Sequence, residues 1–269
     1  MGYIKKLKRM RNTIAKRTGY KLNEIEKNKL LIDYLWEHYV HGVVLIEYNQ
    51  YEFYKKKSRE RREYVCFREF EKIIEVANKK EDYKYFDNKA LFNKTFSEFM
   101  GRKWINATKD TYEQFCELCA SNKKLFVKPV DGMCGRGAYM LEIGKEMDTE
   151  AVYKRLISEK AIVEEVVSQH NEIAEFNGSS VNTLRIVTML CADDTVKIMA
   201  AVIRLGRSGQ IVDNFHNYGI VALIDSETGV IKTTGVDRDF KRYVVHPDSG
   251  KVIPGFKIPS WNYCVWYGK

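Results

Sequence analysis

The stretch LFVKPVDGMCGRGAYMLEI holds the densest set of residues suited to chemistry. A short apolar strand ending at Lys128-Pro129 runs into Gly132, Gly135 and Gly137, and a second strand follows. Glycines at this density let backbone N–H groups converge on an anion, because no Cβ stands in the way. Lys128 and Arg136 add positive charge. The combination reads as a hairpin flap able to close over a polyphosphate. It is not a P-loop, since no Gly-Lys-Ser/Thr follows and no helix opens there, and it is not a dinucleotide fingerprint. A plain hairpin turn is the bland alternative.

Three further segments carry polar groups where packing alone does not ask for them. Val163-Glu164-Glu165-Val166-Val167 sets two acids inside an apolar strand, and alternation turns at least one carboxylate to the buried side. A half-buried glutamate needs a partner: a nucleotide's ribose or base amine, or an internal base such as Lys128. Asn182 and the polar Thr183 enter a strand otherwise reading VTMLC and Arg185 follows Leu184; the Asn and the Arg point to ligand contact. Arg204, Arg207 and the pair Asp213-Asn214 flank a turn, and arginine suits bidentate phosphate contact. Cys116 and Cys119 form a CxxC at helical spacing beside Phe115 and Leu118. No second CxxC or His pair accompanies it, so it reads as a buried helix face and not as a zinc or redox site.

The elements that must position these groups follow from periodicity. Residues 3–16 place Ile4, Leu7, Met10 and Ile14 near one face of a basic amphipathic helix, packed on the body or lying on a membrane. Residues 22–40 read as a helix with Leu31, Tyr34, Leu35 and His38 on its inner face. A second helical region covers 51–80, with KKKSRERRE on a solvated face. Helices are expected over 88–99, ended by Gly101, and over 108–122, capped by Thr108 or Asp110. The texture then turns to strands at 125–129, 138–143, 161–167, 181–191, 196–205, 220–225 and 230–233, with a helix at 148–159 and a hairpin turn at Gly229.

The 269 residues suffice for one large domain or two modest ones. The formal charge is +9, but residues 1–29 hold ten Lys/Arg against two acids, which leaves the other residues at +1. A near-neutral body argues against nucleic acid as a partner, while the basic arm of residues 1–29 suits an anionic membrane surface. No run of 18 apolar residues occurs, and the basic start is followed by no apolar core of a signal peptide. The expected location is the cytoplasm, with peripheral attachment at the inner face of the membrane.

Taken together, the segments resemble the ATP-grasp superfamily, and within it the sugar-transfer-associated branch. The resemblance is carried by Asn88-Lys89 with Leu91-Phe92, Phe126-Val127-Lys128-Pro129 with the glycine loop, Val163-Glu164-Glu165, and Gln169-His170. It continues through Ser180 to Ile186, Val212-Asp213-Asn214-Phe215, Gly219-Ile220, His246-Pro247, Gly250, Gly255 and Ile258-Pro259-x-Trp261. It runs from about residue 45 to the end.

The resemblance implies an α+β, ATP-grasp-like fold of two subdomains. Residues 1–85 would form a helical N-terminal region, 86–167 the small subdomain with the flap, and 168–269 the C-terminal subdomain. It implies an ATP-dependent carboxylate–amine ligase acting through an acyl phosphate in bacterial cell-envelope polysaccharide synthesis, with a carboxylate and an amine or sugar as substrates. By the same resemblance Lys89 and Lys128 hold the phosphates, with Lys94 a competitor for the role of Lys89. Gly132, Gly135 and Gly137 form the flap. Glu164, Glu165 and Val167 lie along the strand that reads adenine and ribose, and Asn182 joins the ATP site. Arg185 and Arg204 neutralise the transferred phosphoryl group, and Asp213 and Asn214 sit near the triphosphate or the acceptor.

Relatives in this branch carry an acid and a Glu-x-Asn beyond the Pro-x-Trp segment to hold Mg²⁺. Here the chain ends first, so the C-terminal subdomain is expected to be incomplete and the Mg²⁺ ligands are not identifiable. Glu47-x-Asn49, Glu175-x-Asn177, Asp225 and Asp237 are the substitutes on offer. A non-catalytic membrane-proximal scaffold or nucleotide-binding protein is the alternative function.

Overall fold

The computed structural model describes residues 2–132 and 135–268. They divide into two compact units, one ending at Asp82 and one beginning at Tyr83. No helix among them is long and apolar enough to cross a membrane.

The first unit is helical: α1 (Tyr3–Thr18), α2 (Glu24–His41), α3 (Leu45–Gln50), α4 (Ser58–Arg61) and α5 (Phe67–Ala77). Asn23 opens α2 with a capping box to Glu26, and Gly42 closes it in the left-handed region. The core gathers Ile14, Tyr34, Val43, Tyr48, Phe53 and Cys66. Leu7 and Met10 are half-buried, whereas Ile4 at the head of the expected apolar stripe is exposed. The helix expected over 51–80 is broken. Glu52 takes a left-handed φ of 51°, a single 3₁₀ turn covers Phe53–Lys55, and only α4 and α5 are α-helical. Packing of Tyr51, Phe53 and Tyr64 ring against ring favours this folded-back path over a continuous helix.

The second unit opens with α6 (Tyr83–Asp87), α7 (Lys89–Thr95) and α8 (Ser97–Met100). The helix expected over 88–99 is thus two pieces, capped by Asn88 at its start and stopped by Gly101 at φ 58°. Next come β1 (Trp104–Asn106), α9 (Tyr112–Ala120), β2 (Lys124–Pro129), β3 (Tyr139–Glu142), α10 (Thr149–Ser158) and β4 (Ala161–Glu165). The cap of α9 is Thr111, in a capping box with Gln114, not Thr108 or Asp110. Those two are engaged elsewhere: Thr108 donates to the Asn106 side chain and Asp110 accepts the Asn106 N–H. The four strands form an antiparallel sheet in the order β1-β4-β2-β3. One face packs α9 and α10 through Phe115, Leu118, Cys119, Leu125, Leu156 and Val163. Cys119 is buried there as a free thiol and Cys116 is half-buried.

The remaining elements are α11 (Asn171–Ala174), β5 (Thr183–Leu190), β6 (Val196–Leu205), β7 (Ile220–Ile224), β8 (Gly235–Val236), β9 (Arg242–Tyr243) and α12 (Trp261–Gly268). The strands form a second antiparallel sheet in sequence order. Residues 230–233, expected as a strand, make only single bridges, Ile224 to Ile231 and Val230 to Lys257. The core holds Phe176, Ile203, Leu205, Ile220, Ile253 and Trp261. The fold is therefore mixed α+β with two antiparallel sheets.

Candidate functional site

A cavity of about 600 Å³ lies between the two sheets of the second unit, within the size range of small-molecule sites. The first sheet contributes Phe126 and Lys128 from β2, Met140 from β3, Glu164 and Glu165 from β4, and Val166 and Val167 just beyond. The second contributes Thr183 from β5, Arg204 from β6, and the segment Ile211 to Asn214. Arg102, before β1, completes the basic lining.

Alternation along β4 sends Glu164 inward at 2% exposure. Its carboxylate meets Lys128 Nζ at 2.7 Å, Arg102 Nη2 at 2.9 Å and Asn93 Nδ2 at 2.8 Å. Burial pushes the Glu164 pKa up, but the charge and hydrogen bond of Lys128, the Asn93 amide and the Arg102 charge outweigh it. The net shift is downward and the group stays ionised. Glu164 holds two cations at the cavity wall, the pairing with an internal base that the sequence had left open beside contact with a nucleotide. Glu165 lines the cavity with its carboxylate tied to the Lys103 N–H at 2.8 Å and to Asn122. β4 ends at Glu165, so Val167 lines the cavity from the connection and not from a strand.

Across the cavity, Thr183 and Arg204 are direct partners in the β5–β6 pairing. Arg204 donates from Nε at 2.9 Å and Nη2 at 2.8 Å to Thr183 Oγ1. The Thr183 N–H and hydroxyl both donate to Asp213 Oδ2, the former at 2.9 Å. Arg204 Nη2 lies 3.4 Å from Asp213 Oδ1. The network fixes Arg204 and Asp213 in one orientation each. Gly219 permits it: a Cβ there would lie 2.2 Å from the Asp213 carbonyl oxygen.

The glycine loop is fastened on both sides. Lys89 Nζ donates to the Gly132 carbonyl and, at 3.4 Å, to that of Val130. Desolvation and the nearby charge of Lys128 lower the Lys89 pKa. Gly135, at φ 72°, brings its Cα against Val212 and Asn214, where a Cβ would stand 3.0 Å from Asn214 Oδ1. Gly137, also at φ 72°, packs on Pro129. Met133 and Cys134, between these anchors, lie outside the described residues. Lys94, the competitor of Lys89, is exposed on α7 and lines a different cavity with Trp104, Lys109 and Lys160.

Six expected site residues lie off the cavity lining: Lys89, the loop glycines Gly132, Gly135 and Gly137, Asn182 and Arg185. Asn182 is buried on the other face of β5's entrance. Its amide donates to the Ile173 and Asn177 carbonyls, and its oxygen accepts the Gly206 N–H, so both side-chain polar atoms are spent on backbone. Arg185 is exposed. It shares the face of Thr183 but lies two residues further along the strand, past the rim. Arg102 and Asn93 went unmarked in the sequence, and Thr183 was marked only as a polar residue entering the strand. Thr183 was findable, since alternation from Arg185 puts it on the same face and its partner strand carries Arg204. Nothing local marks Arg102 or Asn93, whose roles exist only through Glu164.

His246, one of the residues that carry the resemblance, lies off the cavity lining. It is fully buried, Nε2 donates to the Gly206 carbonyl at 2.9 Å, and burial lowers its pKa, so the ring is neutral. The substitutes for a magnesium site are otherwise employed. Asp225 caps the Thr228 turn, Asp237 accepts from the Tyr243 hydroxyl, Glu175 pairs with Lys251 and Glu47 caps α3. Among the described residues no three His, Cys, Asp or Glu side chains assemble.

Comparison with curated proteins and with solved structures returned no match. Comparison with protein families matches residues 69–267 to one described as sugar-transfer associated ATP-grasp. The match takes in every residue of the cavity, the glycine loop and both sheets, though not residues 45–68. On that span, most of its length, the chain belongs to the sugar-transfer associated ATP-grasp family.

Proposed function

We propose that the cavity between the two sheets binds ATP and that the chain is a carboxylate–amine ligase of bacterial cell-envelope polysaccharide synthesis. One observation carries the reading: Lys128 and Arg204, from different sheets, face a single cavity that also has an apolar wall. The residues fit the nucleotide. Phe126, Met140, Val166, Val167 and Ile211 offer apolar surface to a planar base. Lys128 and Arg204 offer positive charge and donors to phosphates from the lining, and Lys89 adds its charge beside Lys128.

ATP supplies a phosphoryl group that activates a carboxylate as an acyl phosphate, which an amine or a sugar nucleophile then attacks. The chain's own residues supply placement and charge compensation, which this chemistry needs more than a covalent catalyst. Arg204, locked by Thr183 and Asp213, offsets negative charge without reorganising. Asn214, against the flap at Gly135, orients the acceptor side. Glu164 keeps Lys128 and Arg102 aimed at the cavity.

Titration calorimetry with ATP tests the reading. The wild type is expected to bind, and Lys128→Ala to bind about tenfold or more weakly, the equivalent of one charged hydrogen bond. Absence of binding by the wild type at millimolar nucleotide overturns it.

A further inference from the structure

We propose that the outward face of α2, together with the first turn of α1, is a docking surface for an anionic lipid membrane. The inner face of α2 is used by the core of its own unit, through Tyr34 with Leu30, Leu31 and Leu35 against it. The outer face carries Ile25, Ile32, Trp36 and Tyr39, which fall on one side of the helix at spacings of seven, four and three. Their exposures are 68, 66, 63 and 65%. Tyr3 meets Tyr39, which brings exposed Ile4 to the same end. Such a contiguous apolar patch marks an interaction site.

Charge identifies the partner. Helix α1 has no acidic residue, and Lys5, Lys6, Lys8 and Arg9 are exposed around Tyr3 and Ile4. Lys29 is exposed one turn from Ile25 and Ile32. Of the two acids in the basic arm, Glu24 is already paired with Arg11 and Lys27, and Glu26 caps its own helix. Tryptophan and tyrosine favour the headgroup level, where ring and polar tip are both accommodated. A helix ridge rimmed by lysines lies in that plane with its apolar side down. A protein partner would be expected to meet a pocket or groove around its anchors, whereas this face is a ridge. The apolar stripe expected on α1 itself is not the contact, because Ile14 is buried, Met10 packs against the unit's core and Leu7 is half-buried.

The test is co-sedimentation of the full chain with vesicles of phosphatidylcholine alone and of phosphatidylcholine with phosphatidylglycerol. Binding is expected only to the anionic vesicles and to weaken as salt rises. Trp36→Ala/Tyr39→Ala is expected to weaken it about tenfold or more. Lys5→Glu/Lys6→Glu should lose about fivefold for each charge removed. These side chains are exposed, so melting temperature and ATP binding serve as controls that should not move, and they keep this test separate from that of the nucleotide site. The proposal is overturned by no binding to anionic vesicles, by equal binding to both kinds, or by binding that the Trp36/Tyr39 variant leaves intact. It is equally overturned if light scattering shows a dimer that the same variant dissociates, since a second copy then covers the face.

Discussion

Lys89 is where the proposed site makes its sharpest prediction at the residue scale. Desolvation and the charge of Lys128 lower its pKa in the free protein. A bound polyphosphate works in the opposite direction, so nucleotide binding in alkaline buffer is expected to take up protons. Calorimetry in buffers of different ionisation enthalpy reads that uptake, and Lys89→Met should abolish it. Two neighbours separate ligand contact from architecture. Thr183→Val removes the hydroxyl shared by Arg204 and Asp213. It is expected to weaken ATP binding about tenfold, as one charge-assisted hydrogen bond does. Asn182→Ala strands the Gly206 N–H and takes one donor from the Ile173 and Asn177 carbonyls, which keep the Phe176 N–H and the Gln169 amide. Its cost should appear as about 1–3 kcal/mol of stability in denaturant titrations, with affinity preserved in the fraction that stays folded.

Elements set these positions through alternation and through turns. Arg185 and Thr183 share a strand face, yet only Thr183 reaches the cavity, because a strand advances about 6.5 Å over two residues. The segment from Asp213 to Gly219 folds back on itself, with the Gly219 N–H donating to the Asn214 carbonyl at 3.1 Å. Gly219→Ala forces the Asp213 carbonyl aside and should reduce nucleotide affinity. Gly144→Ala, with nothing within 4 Å of the added Cβ, should not. Helix α9 supports the first sheet through Phe115, which is fully buried. Phe115→Ala is expected to cost about 3–5 kcal/mol, measured by thermal or chemical melts.

Over the whole molecule, acid is the condition to which the site is most exposed. Burial raises the Glu164 pKa, but Lys128, Asn93 and Arg102 more than offset it, and the Arg207 hydrogen bond holds the Asp248 pKa down. A carboxylate whose pKa is lower folded than unfolded adds stability above its unfolded pKa. That contribution is lost as pH falls through the folded pKa. Melting temperature should therefore drop below the ordinary carboxylate range, and less steeply in Glu164→Gln. Much of this organisation was legible in the amino-acid order. The strand–glycine–strand hairpin, the inner stripe of α2, the paired acids of β4 and the separation of a basic arm from a near-neutral body are all set by periodicity, glycine content and charge. Helix breaks were not legible: at residues 51–80 the ring packing of Tyr51, Phe53 and Tyr64 overrode local propensity, and at 88–99 the backbone leaves the helical region at Phe96. The partners of Glu164 were not legible either: Asn93 and Arg102 are 71 and 62 residues away. Sequence by itself determined which residues had to avoid water and which could carry charge, since both follow from side-chain chemistry and local spacing. Only tertiary structure decided that Lys128 and Arg204 share one cavity while Asn182 and Arg185 lie off its lining, because register between strands and the approach of two sheets are properties of contacts far apart in the chain.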